Sequence, residues 1–323
     1  MFRSIVVASL VLAAPALAQT EMRISHQVPT AHHLHKMLEG FKADVEKTTA
    51  GAVKVAIHPN DSLFKAAENH PAVARGAVEA ALSVNFQWGN TIPEMNITTI
   101  PYLIADLDRI KRFPGSEAAK LLEAKLEQKG VKNVGWYYIT RQSIFTSGKK
   151  PLVTLEDLKG VKIRGLNAIS DAGLAAVGAA PTPMAAPEVY NALQSGLLDA
   201  GLTDLSAAVS RRFYEVQKFG TVAPYFSVYF HMFVNPAWWG KLPAAQRDAI
   251  AAAAKRGEEA MVAITEATAA EAVGQLRDKG MAIHAQSAAE TAAWKAAMQR
   301  PVIEAFTKAA PDGQKLMELI SKL

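Results

Sequence analysis

Residues 158–196 read LKGVKIRGLNAISDAGLAAVGAAPTPMAAPEVYNALQSG. Within this stretch, residues 161–164 alternate β-branched apolar and charged side chains, which predicts a short strand. Residues 171–177 and 188–195 place apolar side chains three or four positions apart, which predicts two helices. A strand followed by helices, with glycine and proline between them, indicates part of an α/β protein.

The alternation of strands and helices continues on both sides of this stretch. Strands are predicted at 21–26, 53–57, 77–84, 131–146 (a strand pair) and 226–234, and helices at 31–49, 64–75, 113–129 and 244–279, the last interrupted at Gly257 and Gly274. This pattern is typical of an α/β fold with mostly parallel sheets. Because no linker or repeat is visible, we expect two domains between which the chain crosses more than once.

Composition excludes several classes of function. The chain has 323 residues, of which 50% are hydrophobic and 20% charged, enough for about two globular domains. It contains no cysteine, which excludes disulfides, thiolate zinc sites, iron–sulfur clusters and cysteine catalysis. The net charge of +5 is not concentrated in a basic stripe, so we expect no nucleic-acid partner.

The first 18 residues have the pattern of a secretory signal peptide. Arg3 provides a positive start, an uncharged apolar run follows, and Ala16-Leu17-Ala18 is a small-residue cleavage signal. The run is shorter than the roughly 20 residues that a membrane-spanning helix needs. We therefore predict that residues 1–18 are removed and that the mature protein is periplasmic.

Two arginines are candidate ligand-binding residues. Arg164 ends the strand at 161–164, and Arg141 follows the aromatic strand at 136–140. A guanidinium is always charged and matches a carboxylate with two parallel hydrogen bonds, so an arginine among apolar neighbours needs an anionic partner. Besides a bound carboxylate, the residues alone leave two alternatives, a structural salt bridge to an Asp or Glu or a solvated strand end.

Aromatic residues near strand ends form a second set of candidates for lining a pocket. They are Phe86, Trp88, Trp136, Tyr137, Tyr138, Phe226, Tyr229 and Phe233. Because side chains alternate along a strand, Trp136 and Tyr138 share one face and Tyr137 lies on the other. One face is expected to belong to the core and the other to a cleft, but the alternation does not tell which.

The histidines His26, His32, His33 and His35 form a cluster in the sequence. On a helix, His32 and His35 would share a face and two imidazoles could bind zinc, which leaves a metal receptor as an alternative function. The simpler interpretation is a polar helix start with Thr30 as its cap, and we predict neither a metal site nor a cofactor. A phosphate loop, GxSxG and HExxH are all absent from the sequence, so it gives no positive sign of an enzyme, although an enzyme on a similar fold stays an alternative.

A series of ordered motifs resembles the solute-binding proteins of TRAP transporters, the DctP type. The motifs are LKGVKIR at 158–164, GAAPTPM at 178–184, PEVYNALQSG at 187–196, FYEVQK at 213–218, a tryptophan at 239 before LP at 242–243, and upstream RGAVE at 75–79 and IPYL at 100–103. They extend from about residue 21 to residue 250.

The resemblance implies a two-lobed α/β fold of the periplasmic binding protein type, with a ligand cleft between the lobes and a long helix spanning both. The expected lobes are 19–142 plus 229–268, and 143–228 plus 269–323. The resemblance also implies a periplasmic receptor, not an enzyme. Such a receptor binds a small organic acid and passes it to the small and large membrane subunits of a TRAP importer.

The resemblance also implies roles for individual residues. Arg164 takes the place of the arginine that clamps the solute carboxylate. Many members have a second arginine where this chain has Ser143, and Arg141 lies two residues earlier on the same strand face. Thr203, followed by Asp204, replaces an asparagine that contacts the ligand, so we expect an altered solute class.

The resemblance and the residues together give the predicted ligand-binding set. It comprises Arg164, Arg141, Trp88, Trp136, Tyr138, Thr203, Asp204 and Phe226. The aromatic members favour an aromatic or branched monocarboxylate, and a dicarboxylate or sugar acid is the alternative.

Overall fold

The computed structural model describes residues 19–323, so the predicted signal peptide at 1–18 lies outside the described residues. Two β-sheets carry the fold. The first contains β1 (Thr20–His26), β2 (Val53–His58), β3 (Ala80–Val84), β4 (Lys132–Thr140) and β10 (Val228–Val234), and the second contains β5 (Ser143–Ser147), β6 (Lys162–Gly165), β7 (Ala180–Pro183), β8 (Ala200–Asp204), β9 (Phe219–Ala223) and β11 (Ala282–Ala285). The strand order is β2-β1-β3-β10-β4 in the first sheet and β11-β9-β5-β8-β6-β7 in the second.

Helices surround both sheets. The α-helices are α1 (His33–Thr48), α2 (Asn69–Ala74), α3 (Leu107–Arg112), α4 (Glu117–Gln128), α5 (Ala168–Ala176), α6 (Ala186–Gln194), α7 (Leu205–Ser210), α8 (Pro236–Lys241), α9 (Ala244–Asp278), α10 (Ala288–Ala309) and α11 (Gly313–Ser321). Short 3₁₀ helices lie at Ala66–Glu68, Asn85–Trp88, Pro93–Thr99, Glu156–Leu158 and Phe213–Glu215. Within residues 19–323, no helix has both the length and the apolar character that crossing a bilayer requires.

The sheets are mixed, so the prediction of mostly parallel sheets is wrong. In the first sheet β10 runs antiparallel to β3 and to β4, and in the second β5 runs antiparallel to β8 and to β9. The predicted strand pair at 131–146 is not a hairpin, because β4 belongs to one sheet and β5 to the other. The antiparallel strands are those reached by short direct segments between the sheets, at 141–142 and 224–227, instead of by helical crossovers.

The long helix α9 joins the two halves, which confirms the predicted two-lobed α/β architecture. Its 35 residues extend roughly 50 Å, packing on α1 and β4 beside the first sheet and on α7 and β11 beside the second. The predicted interruptions at Gly257 and Gly274 are wrong, because the helix is continuous. Gly257 instead allows α1 to approach closely, since a Cβ there would lie 2.8 Å from Sδ of Met37.

The C-terminal helices pack on both halves of the molecule. Helix α10 lies on α5, whereas α11 packs on α4 and on the 3₁₀ helix Pro93–Thr99, both within the expected first lobe. The expected second lobe, 143–228 plus 269–323, includes α11, which packs against elements of the expected first lobe. The lobe boundaries stay a prediction.

Helix α1 carries the apolar stripe that its sequence predicts, with Leu34, Leu38 and Val45 fully buried. It begins at His33 instead of residue 31. His32 is its N-cap, because its Nδ1 accepts the N–H of Leu34 at 3.1 Å, so the predicted cap at Thr30 is wrong. This cap brings the His32 side chain toward the second sheet.

Candidate ligand site

A narrow cavity lies between the two sheets, where the ends of β1 and β3 face β6, β8 and α7. Its polar lining consists of Gln27, His32, Arg164, Thr203, Asp204 and Arg211. Its apolar lining includes Val28, Val84, Phe86, Phe226, Val228 and Phe230. Four predicted site residues, Arg164, Thr203, Asp204 and Phe226, therefore meet in one place, although they come from β6, β8 and the segment 224–227.

Arg164 is the most deeply buried cation of this cavity, with 2% of its surface exposed. Its Nε donates to the carbonyl of Met184 at 3.1 Å and its Nη1 to the carbonyl of Leu202 at 2.7 Å. Within residues 19–323, no group accepts a hydrogen bond from its Nη2. The two backbone carbonyls fix the plane of the guanidinium, so its remaining N–H groups are held in position for an anion.

Arg211 is a second cation in the cavity, at the C-cap of α7. It is half-buried, and its Nη2 donates to the carbonyl of Gln27 at 2.9 Å. Burial lowers the pKa of both Arg164 and Arg211 to about 10, and each pKa stays far enough above neutral for both groups to remain charged. Two desolvated cations beside one cavity favour an anionic ligand.

Asp204 lines the same cavity, its charge acts on both arginines, and its side chain is held rigidly. Its Oδ1 accepts hydrogen bonds from Ser206 Oγ at 2.6 Å and from the backbone N–H of Ala207 at 2.7 Å, and His32 Nε2 lies 3.9 Å away. Burial alone would raise the pKa of Asp204, but the interactions with His32, Ser206 and Ala207 outweigh it and hold the pKa below its usual range. The carboxylate is therefore ionised.

His32 orients the Asp204 carboxylate indirectly, through a hydrogen bond to Ser206. Because its Nδ1 accepts from Leu34, the neutral ring carries its proton on Nε2, which lies 3.2 Å from Ser206 Oγ and donates to it. Ser206 in turn donates to Asp204. The sequence did not predict this contact between His32 and Ser206, because it joins two distant helices, α1 and α7, and leaves no local pattern.

Asp171 lies behind Arg164, in the first turn of α5. The side chain is 5% exposed, and its Oδ1 accepts the N–H of Leu166 at 2.8 Å. Burial raises the pKa of Asp171 to about 6, although the Leu166 hydrogen bond and the charge of Arg164 both oppose that rise. The group is thus destabilising when it is ionised in the folded protein.

We expect Asp171→Asn to remove a pH dependence of stability. The folded pKa of about 6 exceeds the usual aspartate pKa of 3.8, so the folded state binds more protons and the free energy of unfolding falls as pH rises between these values. The wild type should therefore lose roughly 2 kcal/mol relative to the variant between pH 4 and pH 7. Urea unfolding of both proteins at several pH values measures this difference.

Asp157→Asn is the matched control, because hydrogen bonds from Thr154, and to a lesser extent from Lys150 and Val153, lower the pKa of Asp157 to about 2. Its contribution is present above the unfolded pKa and is lost only as pH falls toward 2. The difference between this control and the wild type should stay flat from pH 4 to pH 7. A flat difference for Asp171→Asn as well would contradict the assignment.

Arg141 does not reach this cavity. Its Nε and Nη2 form a two-pronged ion pair with Glu266 of α9, at 3.1 Å to Oε1 and 2.7 Å to Oε2. Arg141 therefore forms a structural salt bridge, one of the alternatives that its sequence left open. Ser143, where the resemblance implied an arginine, is fully buried and its Oγ lies 3.4 Å from the backbone N of Phe226.

The aromatic residues Trp88, Trp136 and Tyr138 are not among the lining residues of this cavity. Their positions therefore differ from the predicted positions in the ligand cleft. Trp88 packs edge-on against Phe233 at 5.3 Å between ring centroids. Trp136 donates from Nε1 to Glu123 at 2.8 Å, and the hydroxyl of Tyr138 donates to Glu266 at 2.7 Å. The side chains on both faces of β4 are at most 2% exposed from Trp136 to Tyr138, and Trp136 and Tyr138 border a separate open cavity beside α3 and α9.

His26 and His35, two other members of the histidine cluster, contact each other. His26 Nδ1 accepts from the N–H of Val28, and its Nε2 lies 3.1 Å from His35 Nδ1. Burial, followed by the neighbouring histidines, lowers the pKa of His26 to about 3. Within residues 19–323, His, Asp and Glu side chains nowhere form a group of three suited to a metal ion.

Two α/β lobes with a polar cavity between them, joined by short crossing segments and one long helix, define a two-lobed solute-binding protein. The chain belongs to the DctP family, bacterial extracellular solute-binding proteins of family 7, whose model matches residues 24–309. It is a TRAP-type solute-binding protein, as its motifs predicted, and the family consists of receptors and not of enzymes.

Individual relatives agree with this assignment. A C4-dicarboxylate-binding periplasmic protein from Rhodobacter capsulatus is 30% identical over 291 residues, which cover 89% of this chain and 87% of that protein. An extracytoplasmic solute receptor from Bordetella pertussis that binds pyroglutamic acid is 28% identical, with a TM-score of 0.84 over 94% of this chain and 99% of that one. A TRAP periplasmic solute-binding protein from Desulfovibrio salexigens with bound orotic acid is 26% identical, with a TM-score of 0.89 over 94% and 98%.

Proposed function

We propose that this protein is a periplasmic receptor that binds a small organic acid through Arg164 and delivers it to the membrane subunits of a TRAP importer. The observation that carries the proposal is the buried Arg164 guanidinium, held by two carbonyls with its Nη2 directed to no described acceptor. A buried cation without a full set of partners is costly unless an anion completes it.

The relatives support an organic acid as the ligand. The three relatives named above carry C4-dicarboxylate, pyroglutamic acid and orotic acid in their descriptions, and all of these are carboxylic acids. A carboxylate accepts two parallel hydrogen bonds from one guanidinium, and exclusion of water between the lobes strengthens that interaction. The apolar lining residues then contact the rest of the solute.

Delivery requires that the loaded receptor differ in shape from the empty one. Arg164 belongs to β6 of the second sheet, whereas Phe86 and Phe230 belong to segments of the first. A ligand that contacts both halves binds the closed arrangement better than an open one and shifts the population toward it. We propose that the membrane subunits recognise this closed arrangement.

The solute that co-purifies with the protein tests the proposal. The protein is isolated from the periplasm and denatured, and the released small molecules are identified by mass spectrometry. We expect one carboxylic acid per chain, which is chemically unchanged after prolonged incubation with the protein. Stoichiometric zinc or nickel instead would favour the metal receptor, and conversion of the acid would favour an enzyme.

A further inference from the structure

Asp204 presents a fixed hydrogen-bond acceptor to the cavity. Both of its close hydrogen bonds, from Ser206 and Ala207, end on Oδ1. No group within residues 19–323 donates to Oδ2, and the side chain, 16% exposed, lines the cavity. Because the carboxylate is ionised and held by Ser206 and Ala207, Oδ2 is an acceptor that is open to a donor group of a ligand.

The cavity is therefore lined by two chemically different kinds of charged group. Arg164 and Arg211 offer N–H donors, and Asp204 offers an anionic acceptor. A ligand carboxylate is attracted to the arginines, whereas a second carboxylate near Asp204 would place two like charges in a poorly hydrated site. A hydroxyl or N–H of the ligand, by contrast, can donate to Oδ2.

Two further carboxylates reduce the demand for a ligand with two negative charges. Asp204 raises the pKa of both arginines against the effect of burial, and Asp171 adds to this effect at Arg164 and Asp61 at Arg211. Asp204 lines the cavity, whereas Asp171 and Asp61 are not among its lining residues. The arginines are thus already partly neutralised by the protein, so a single ligand carboxylate suffices.

We infer that the cavity selects acids with one carboxylate and a neighbouring hydrogen-bond donor, a hydroxyl or an N–H, and that Asp204 excludes dicarboxylates. This inference rests on the proposed function, because it places the ligand carboxylate on Arg164. The apolar lining residues Val28, Phe86, Phe226 and Phe230 favour a branched or aromatic body.

Two series of acids, each on one carbon skeleton, test the inference by calorimetry. The phenyl series is phenylacetate, mandelate, phenylglycine and phenylmalonate. The branched series is 3-methylbutanoate, 2-hydroxy-3-methylbutanoate, valine and isopropylmalonate. The members of each series differ only in the group on the carbon beside the carboxylate: hydrogen, hydroxyl, ammonium or a second carboxylate.

In the wild type we expect the hydroxy or amino acid of at least one series to bind roughly tenfold to a hundredfold more tightly than the plain acid, which is the range for a hydrogen bond to a charged partner. The dicarboxylate should bind most weakly. The hydroxy and amino members distinguish a neutral donor from a charged one. Equal binding of plain and donor-bearing acids, strongest binding of the dicarboxylate, or no binding in either series would overturn the inference.

Asp204→Asn provides the second measurement. Asparagine is a good N-cap and has nearly the shape of aspartate, so α7 should stay capped while the charge is lost. The advantage of the donor-bearing acid should fall, and the dicarboxylate should gain at least about tenfold. Asp199→Asn is the matched control at the start of β8, where Asp199 pairs with Lys149 at the surface, and it should leave the order of the acids unchanged.

Arg164→Ala separates failure of this inference from failure of the proposed function. If an acid binds the wild type and loses affinity in Arg164→Ala but shows no preference for a donor, the proposed function stands and the inference about Asp204 is wrong. If an acid binds equally well to Arg164→Ala, the proposed clamp itself is wrong.

Discussion

Arg164→Ala should weaken binding of the organic acid by roughly 30-fold to several thousandfold. Removing one partner of a buried charge pair costs about 2–5 kcal/mol, because the other charge stays buried without its counterpart, and each 1.4 kcal/mol corresponds to a factor of ten. Arg164→Lys should also bind poorly, since an ammonium cannot reproduce two parallel hydrogen bonds in the plane that Met184 and Leu202 fix. Calorimetry with the co-purified acid measures both variants.

Arg141→Ala is the matched control for this experiment. It also removes a guanidinium with a two-pronged partner, but that partner is Glu266 of the protein and neither residue is among those that line the cavity. We expect nearly unchanged affinity. Circular dichroism and thermal melting establish that each variant is folded, and an Arg164→Ala protein that is folded and binds the acid as the wild type does would refute the clamp.

Trp136→Ala should lower the free energy of unfolding by about 3–5 kcal/mol and leave affinity unchanged. Trp136 is 2% exposed, packs edge-on against Phe113 at 5.4 Å between ring centroids and donates to Glu123. Its removal leaves a cavity in the core and one hydrogen bond fewer at Glu123, and Trp136 is not among the residues that line the ligand cavity. Urea unfolding and calorimetry on the same protein measure the two effects separately.

Phe226→Ala is the comparison for Trp136→Ala, because both remove a buried aromatic ring but only Phe226 lines the cavity. We expect a clear loss of affinity from Phe226→Ala in addition to a loss of stability. A loss of affinity at unchanged stability in Trp136→Ala would contradict this prediction. It would instead support the interpretation of Trp136 as a residue of the ligand cleft.

Much of the local structure could be predicted from the sequence because it depends on local periodicity. The apolar stripe of α1, the alternation in β2 and the strand that ends near Arg164 all lie where their patterns predicted. The predictions were wrong at positions where the conformation depends on packing against residues distant in the sequence. The sequence predicts an interruption of α9 at Gly257, but in the structure the helix is continuous and the missing side chain makes room for Met37.

The predicted site was incomplete for the same reason. Arg211 precedes a second arginine in a polar turn, and nothing in that pattern distinguishes it from a solvated surface residue. It reaches the cavity only because α7 places it beside Gln27 of the other half. His32 was noticed as a candidate metal ligand, whereas its place as the cap of α1 directs it to Ser206 and Asp204.

The family, many of the helices and strands, and the position of Arg164 near the end of β6 could be predicted from the sequence, whereas the strands β7, β8, β9 and β11 were not predicted. The predicted properties are encoded in short motifs and in periodicities that a single segment carries without its neighbours. Only the tertiary structure decided that both faces of β4 are core, that Arg141 pairs with Glu266, and which side chains meet Arg164. Burial and the pairing of charges arise from packing between distant segments, so no local pattern determines them.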